Sequence, residues 1–248
     1  MINRRWAVNR SPSCHKRRTE RGAVAVEAAL ITPLLFFLIF MIIETGPLFL
    51  LWSSNKHAAQ EGARMATVAG TTNDADYNIL KAMRPPLSAV GNRLKYVIVY
   101  RATDLYSKVP QECLTEADDA LVLSVPANQA VGYFRTDTGT VMRTGDPQTA
   151  LTTFDWTAKR PAVACNVYRF DQLDIPNTRF QYDSAALPAD LSLDRFWPAT
   201  KRNDSISARQ DYVGIYVRSS YTSMTGVISS RTVNHTYVGV IEALKVQG

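Results

Sequence analysis

From Gly22 to Glu44 the chain is apolar except for one carboxylate, Glu27, set among alanines and valines. Ala28 to Ile43 carries no charge. At about 1.5 Å per residue that run covers roughly 24 Å, a little short of a hydrocarbon core. The apolar pattern resumes with Leu48-Phe49-Leu50-Leu51-Trp52. A helix from Ala23 to Trp52 would be about 45 Å long, enough to span a bilayer with its ends in the interfaces. Trp52 suits the outer interface. Pro33 and Gly46-Pro47 each remove or weaken a backbone bond, so kinks are predicted at both.

The charge distribution orients this span. The chain carries a formal net charge of +6, a balance that could suggest nucleic acid. Residues 1–22 hold seven basic groups and one acid and so account for all of it; the remainder has 21 of each sign. No basic stripe of the kind that follows phosphates is left. The leader is rich in Arg and Lys without apolar periodicity, which predicts a solvated segment held on the cytoplasmic side. The C-terminal domain then lies outside. Neither double arginine, Arg4-Arg5 or Arg17-Arg18, precedes a short secretory h-region, and no cleavage site of the small-x-small kind follows the apolar run.

A signal anchor explains the flank and the span but not Glu27. A carboxylate within an apolar helix costs on the order of 2.5–3.5 kcal/mol by insertion scales, and less near the interface. Such a group normally meets a partner. Cleavage after Gly22 would supply one, because Ala23 would then carry a positive α-amine four residues from Glu27. In a helical array the amine of one subunit can meet the Glu27 carboxylate of its neighbour. Ala25, Ala28 and Ala29 keep the surrounding surface small and allow close helix approach.

Arg21-Gly22-Ala23-Val24-Ala25-Val26-Glu27, followed by an apolar run, resembles a type IV prepilin processing site. Together with Pro33, the Leu/Phe-rich run to Ile43-Glu44-Thr45-Gly46, and Ala58-Ala59-Gln60-Glu61-Gly62-Ala63-Arg64-Met65-Ala66, it resembles the TadE-like pseudopilins of tight-adherence (Flp-type) pilus systems. The resemblance covers about residues 18–70. It implies a minor pilin cut between Gly22 and Ala23 by a prepilin peptidase, with Glu27 docking the subunit. It implies partnership with the membrane, other pilins and pilus assembly proteins, and a part in adhesion. Glu44 would mark the outer interface or seek a second partner. The rival reading is an unprocessed single-pass anchor carrying an extracytoplasmic binding domain; a third is a membrane-tethered hydrolase.

The predicted fold is α+β: a long N-terminal transmembrane, pilin-type helix followed by a β-rich antiparallel extracytoplasmic domain. The expected segments are a basic leader (1–22), a transmembrane helix (23–52), a helical stalk (53–70) and the domain (71–248). In the stalk Ala59, Gly62, Ala63, Ala66, Ala69 and Gly70 share one side at helical spacing, which suits close packing on a sheet or another helix. Gly70 is a reasonable stop. In the domain, a short helix is expected over 74–83, ended by Pro85-Pro86. Strands are expected over 95–101, 120–125, 130–135, 161–170, 211–221 and 232–244, the last two as a hairpin. Residues 136–160 read as turns and 171–210 as a surface excursion.

Cys14 lies in the leader; Cys113 and Cys165 lie in the domain. That segregation suits a disulfide in an oxidising compartment, with two buried free thiols as the alternative. Catalytic chemistry is poorly supplied. Beyond the leader there are two histidines, His57 and His235. No zinc spacing and no phosphate-binding glycine loop is present, and Asp118-Asp119 and Asp171/Asp174 do not match an ordered calcium loop. His235, Ser230 and Asp211 carry no triad signature. No catalytic residue, metal or cofactor is therefore expected. Trp156 and Phe196-Trp197 read as packing aromatics, with adhesion as the alternative.

Overall fold

The computed structural model describes residues 17–147, 149–181, 191–205, 210–224, 226 and 229–242, with the helical side chains of residues 17–21, 149 and 150 outside that description. Most of the basic leader therefore lies outside the described residues. The elements are α1 (Arg17–Ala69), α2 (Ala75–Ser88), β1 (Leu94–Ala102), α3 (Gln111–Val122), β2 (Val131–Arg135), β3 (Val141–Arg143), α4 (Thr149–Thr152), β4 (Val163–Arg169), β5 (Tyr212–Tyr221) and β6 (Arg231–Val240). The protein is α+β: a long apolar helix precedes a domain built on one six-stranded sheet. Contacts divide the chain into two units, Met1–Gly46 and Pro47–Gly248, and α1 contributes to both.

In the first unit α1 is helical without interruption, Pro33 included. The Thr32 hydroxyl donates to the carbonyl of Ala28, and Thr45 does the same to Met41. A hydroxyl that bonds back four residues is satisfied inside its own helix, as an apolar setting requires. Residues 22–40 are exposed throughout.

In the second unit the sheet order is β3-β2-β4-β1-β5-β6, and every neighbouring pair is antiparallel. Both faces are covered, so the central strand β1 is almost continuously apolar. Val97 and Val99 point to one face, with Val213, Ile215 and Val217 of β5. That face packs against Leu51, Ala58, Ala59, Ala63 and Ala66 of α1 and Ile79, Leu80 and Met83 of α2. Tyr96, Ile98 and Tyr100 point to the other face, where Cys113, Ala117 and Ala120 of α3 cover them.

The small-residue side of the stalk is what makes the first contact possible. A Cβ on Gly62 would lie 2.7 Å from Sδ of Met83 and 3.2 Å from Cγ2 of Ile215. A Cβ on Gly239 in β6 would lie 2.7 Å from Cγ2 of Thr67 and 3.0 Å from the carbonyl oxygen of Ala63. Helix and sheet therefore meet at backbone distance. Asn55 locks the register: its Nδ2 donates to the carbonyl of Val233 at 3.1 Å, and its Oδ1 accepts from the Ser219 hydroxyl at 2.9 Å. The helix ends at Ala69, one residue before Gly70, as its stop signal predicts.

Four expectations are corrected. Residues 136–160 are not turns alone: they contain β3 and α4, with Met142, Leu151 and Trp156 in the core. Residues 120–122 are the last turn of α3, not the start of a strand. Cys113, Ala117 and Ala120 recur at helical spacing and are buried on the sheet, and that periodicity outweighs the short apolar stretch read there as a strand. Pro85 and Pro86 lie inside α2 rather than ending it. They fall in its final turns, Pro85 on the exposed side, while Met83 and Leu87, four residues apart, anchor the inner side. The Ser88 hydroxyl bonds the Pro85 carbonyl at 2.7 Å. Finally, the described parts of 171–210 are not a surface excursion: Phe180, Leu193, Phe196 and Trp197 are core residues.

Candidate functional site

The candidate site lies on the first apolar turns of α1. Gly22, Ala23 and Glu27 all lie on α1 and all are exposed. Alanines and valines flank Glu27 on every helical neighbour position from 23 to 29. Among the described residues Glu27 makes no ion pair. Glu27 thus stands as a lone exposed carboxylate on an apolar stretch of helix. The exposed surface continues through Leu30, Leu34, Phe37 and Leu38 to Ile42 and Ile43. Glu44, which closes the stretch, is buried. Gly22–Ala69 is long and apolar enough, by length and composition, to cross a membrane.

Further along α1 the character changes from apolar to amphipathic. Phe49, Leu50 and Trp52 are exposed, whereas Leu51, Ser54 and Asn55 are buried on the sheet. The Trp52 ring meets His235 edge-on, with centroids 5.2 Å apart, and the Lys56 ammonium lies 5.5 Å from the Trp52 centroid. Partial burial, and then the Lys56 charge, hold the His235 imidazole below the usual histidine range. His57 is exposed on the stalk.

A buried polar cluster that sequence reading missed joins α2, β4 and the segment up to Arg202. Asp76 on α2 pairs with Arg202, Oδ1 to Nη2 at 2.6 Å, and both side chains are fully buried. Its Oδ2 accepts from Asn166 Nδ2 at 2.9 Å and from the Tyr168 hydroxyl. Arg202 also donates to the carbonyls of Trp197 and Gly70 and stacks on the Trp197 ring. Buried charges demand such partners, and of the Arg202 guanidinium only Nε lacks one among the described residues. Burial first, and then the Asp76 charge, push the Asp194 carboxyl up to about 7. Hydrogen bonds from Ser192 and the Ala199 amide oppose that shift. Burial and Asp76 likewise raise the Tyr168 phenol well above its ordinary range. Its members come from α2, β4 and residues 192–202, so the cluster ties these parts of the domain together.

Cys113 and Cys165 form a disulfide that ties α3 to β4, with Cα atoms 6.3 Å apart. The imagined triad is not assembled. Asp211 pairs with Arg101 and Arg160 at one end of the β5–β6 hairpin, while Ser230 sits at the other and His235 packs on Trp52. Asp118, Asp171 and Asp174 are each paired with an arginine, Arg218, Arg169 and Arg84 respectively. Among the described residues, no group of three or more His, Cys, Asp or Glu is arranged to hold a metal.

No curated protein and no solved structure matches the chain. The model of the family described as TadE-like protein matches residues 22–64, within α1, from the glycine before Ala23 to the small-residue face of the stalk, and marks this segment as TadE-like.

Proposed function

We propose that this protein is a minor pilin or pseudopilin of a tight-adherence pilus. It enters the cytoplasmic membrane through α1, is cut after Gly22 by a prepilin peptidase, and takes part in pilus assembly and adhesion with other pilins. Its sheet domain faces outward. The observation that carries this reading is the uncovered apolar surface around Glu27 in a chain whose other large hydrophobics are mostly buried. A helix of that kind suits lipid first and neighbouring helices later. The new α-amine of Ala23 would then neutralise Glu27 of an adjacent subunit, two charges that a low-dielectric setting otherwise penalises. The TadE-like match begins at Gly22 and includes Glu27, which supports the same assignment. The Cys113–Cys165 disulfide supports an extracytoplasmic domain, because such bonds persist in oxidising compartments.

The deciding measurement is the mature N-terminus, by mass spectrometry of protein from the native host. A chain beginning at Ala23 is the expected result. An intact Met1 in cells with an active prepilin peptidase would instead favour the unprocessed membrane-anchored binding domain, for which Gly22→Leu should be silent.

A further inference from the structure

The sheet has two ends, and the contacts of α1 tell them apart. Asn55 reaches Ser219 and Val233, and Ser219 pairs with Leu94 at the start of β1. Thr67 reaches Glu242, beyond the other end of β6. The first end therefore lies beside residues 51–55, four to eight residues after the domain begins at Pro47, or about 12 Å of helix at most. That is the level of exposed Trp52, with Lys56 over its ring, an aromatic and basic combination typical of the membrane interface.

The same end carries the domain's least explained surface. α3 runs towards it and finishes in three consecutive apolar residues, Leu121, Val122 and Leu123, exposed by 36, 82 and 74 %. Phe170, at the end of β4, is 49 % exposed and borders the same groove as Leu121, Leu94 and Lys95. Three exposed apolar residues in a row are a liability on a face meant for water and useful on one meant for lipid. The charges nearby do not oppose that use. Lys95 is exposed and Arg93 half-exposed; Asp171 is engaged by Arg169 at 3.2 Å, and Asp118 by Arg218 at 2.9 Å. Asp119 is the one exposed acid of α3's last turn.

We propose that this end of the domain rests on the phospholipid surface. Leu121, Val122, Leu123 and Phe170 enter the interfacial layer, and Lys95 and Arg93 lie at the headgroups. Shallow apolar insertion beside basic residues is how interfacial segments bind bilayers. The domain would then stand directly on the membrane that anchors it, and leaving the bilayer for an assembly would require this contact to break. The inference rests on the reading of α1 as a membrane span.

The test uses the full chain in nanodiscs with Cys14→Ser. Cys113 and Cys165 are bonded to each other, so one added cysteine is the single free thiol. Bimane is attached at Val122→Cys, at Leu38→Cys within the apolar stretch, or at Tyr106→Cys in the 92 %-exposed loop at the opposite end of the sheet. Nitroxide-labelled lipids serve as the quencher. Positions 38 and 122 should lose most of their fluorescence and position 106 little; Phe170→Cys should repeat the result at 122. Quenching at 38 without quenching at 122 overturns the surface contact and leaves the anchor intact. No quenching at 38 overturns the span and the contact together. A blue-shifted, unquenched probe at 122 assigns the patch to a protein partner and also overturns the proposal.

Discussion

Asp194 gives a residue-scale prediction with a definite sign. Its folded-state pKa, about 7, lies above the ordinary aspartate value, so the folded state holds a proton that the unfolded state releases. The stability it contributes is fully present below the unfolded value and is lost as pH rises through about 7. Between pH 6 and 8 this one group should remove on the order of 1 kcal/mol of stability. Asp194→Asn keeps an acceptor for the Ala199 amide and loses the titration. Denaturant unfolding at the two pH values should therefore show a shallower decline in the variant, and equal declines would refute the assignment. The pairing of Asp76 with Arg202 has a different lesson. It joins residues far apart in sequence, and neither flank of either residue advertises the partner.

Two joints hold the domain's elements together, and each has a measurable strength. The disulfide closes a loop of 52 residues between α3 and β4. On the chain-entropy estimate, replacing both cysteines by serine should lower stability by about 4 kcal/mol, read from denaturant midpoints of the full chain in detergent. A loss below about 1 kcal/mol would mean that α3 is held by packing alone. The second joint is the close approach of α1 to β6. Gly239→Val places side-chain atoms against the Ala63 backbone carbonyl, which has no rotamer to change. A loss of about 1–3 kcal/mol is expected, as for overpacking elsewhere. At this scale the sequence was informative where periodicity was long. The hairpin β5–β6, strands β1, β2 and β4, and the small-residue stalk were all legible. The end of α3 was not, because a short apolar run such as Ala120–Leu123 fits a strand and a helix equally well.

For the whole molecule, the chain joins an exposed apolar stretch of α1 to a sheet domain whose core takes in the later part of the same helix. The proposed role requires that Glu27 matter for assembly and not for cleavage. Glu27→Ala should leave processing at Gly22 largely intact, seen as the mobility shift of the mature chain, while surface pili are reduced. Normal piliation in that variant would refute subunit docking through Glu27.

The chain's own pattern was sufficient for the membrane-length helix, the position of Glu27, the fold class and the small-residue face. Each is a local or periodic property, and neighbouring residues alone express it. Tertiary structure alone decided where Asp76, Asn166, Tyr168, Asp194 and Arg202 meet, because burial of a charge depends on segments brought together across the whole domain. It also decided that the segment around Phe196 and Trp197 turns inward, so that the packing expected of these aromatics is core packing. Last, it set Leu121–Leu123 at the end of the sheet beside residues 51–55, a juxtaposition of strand register and helix direction that no single stretch encodes.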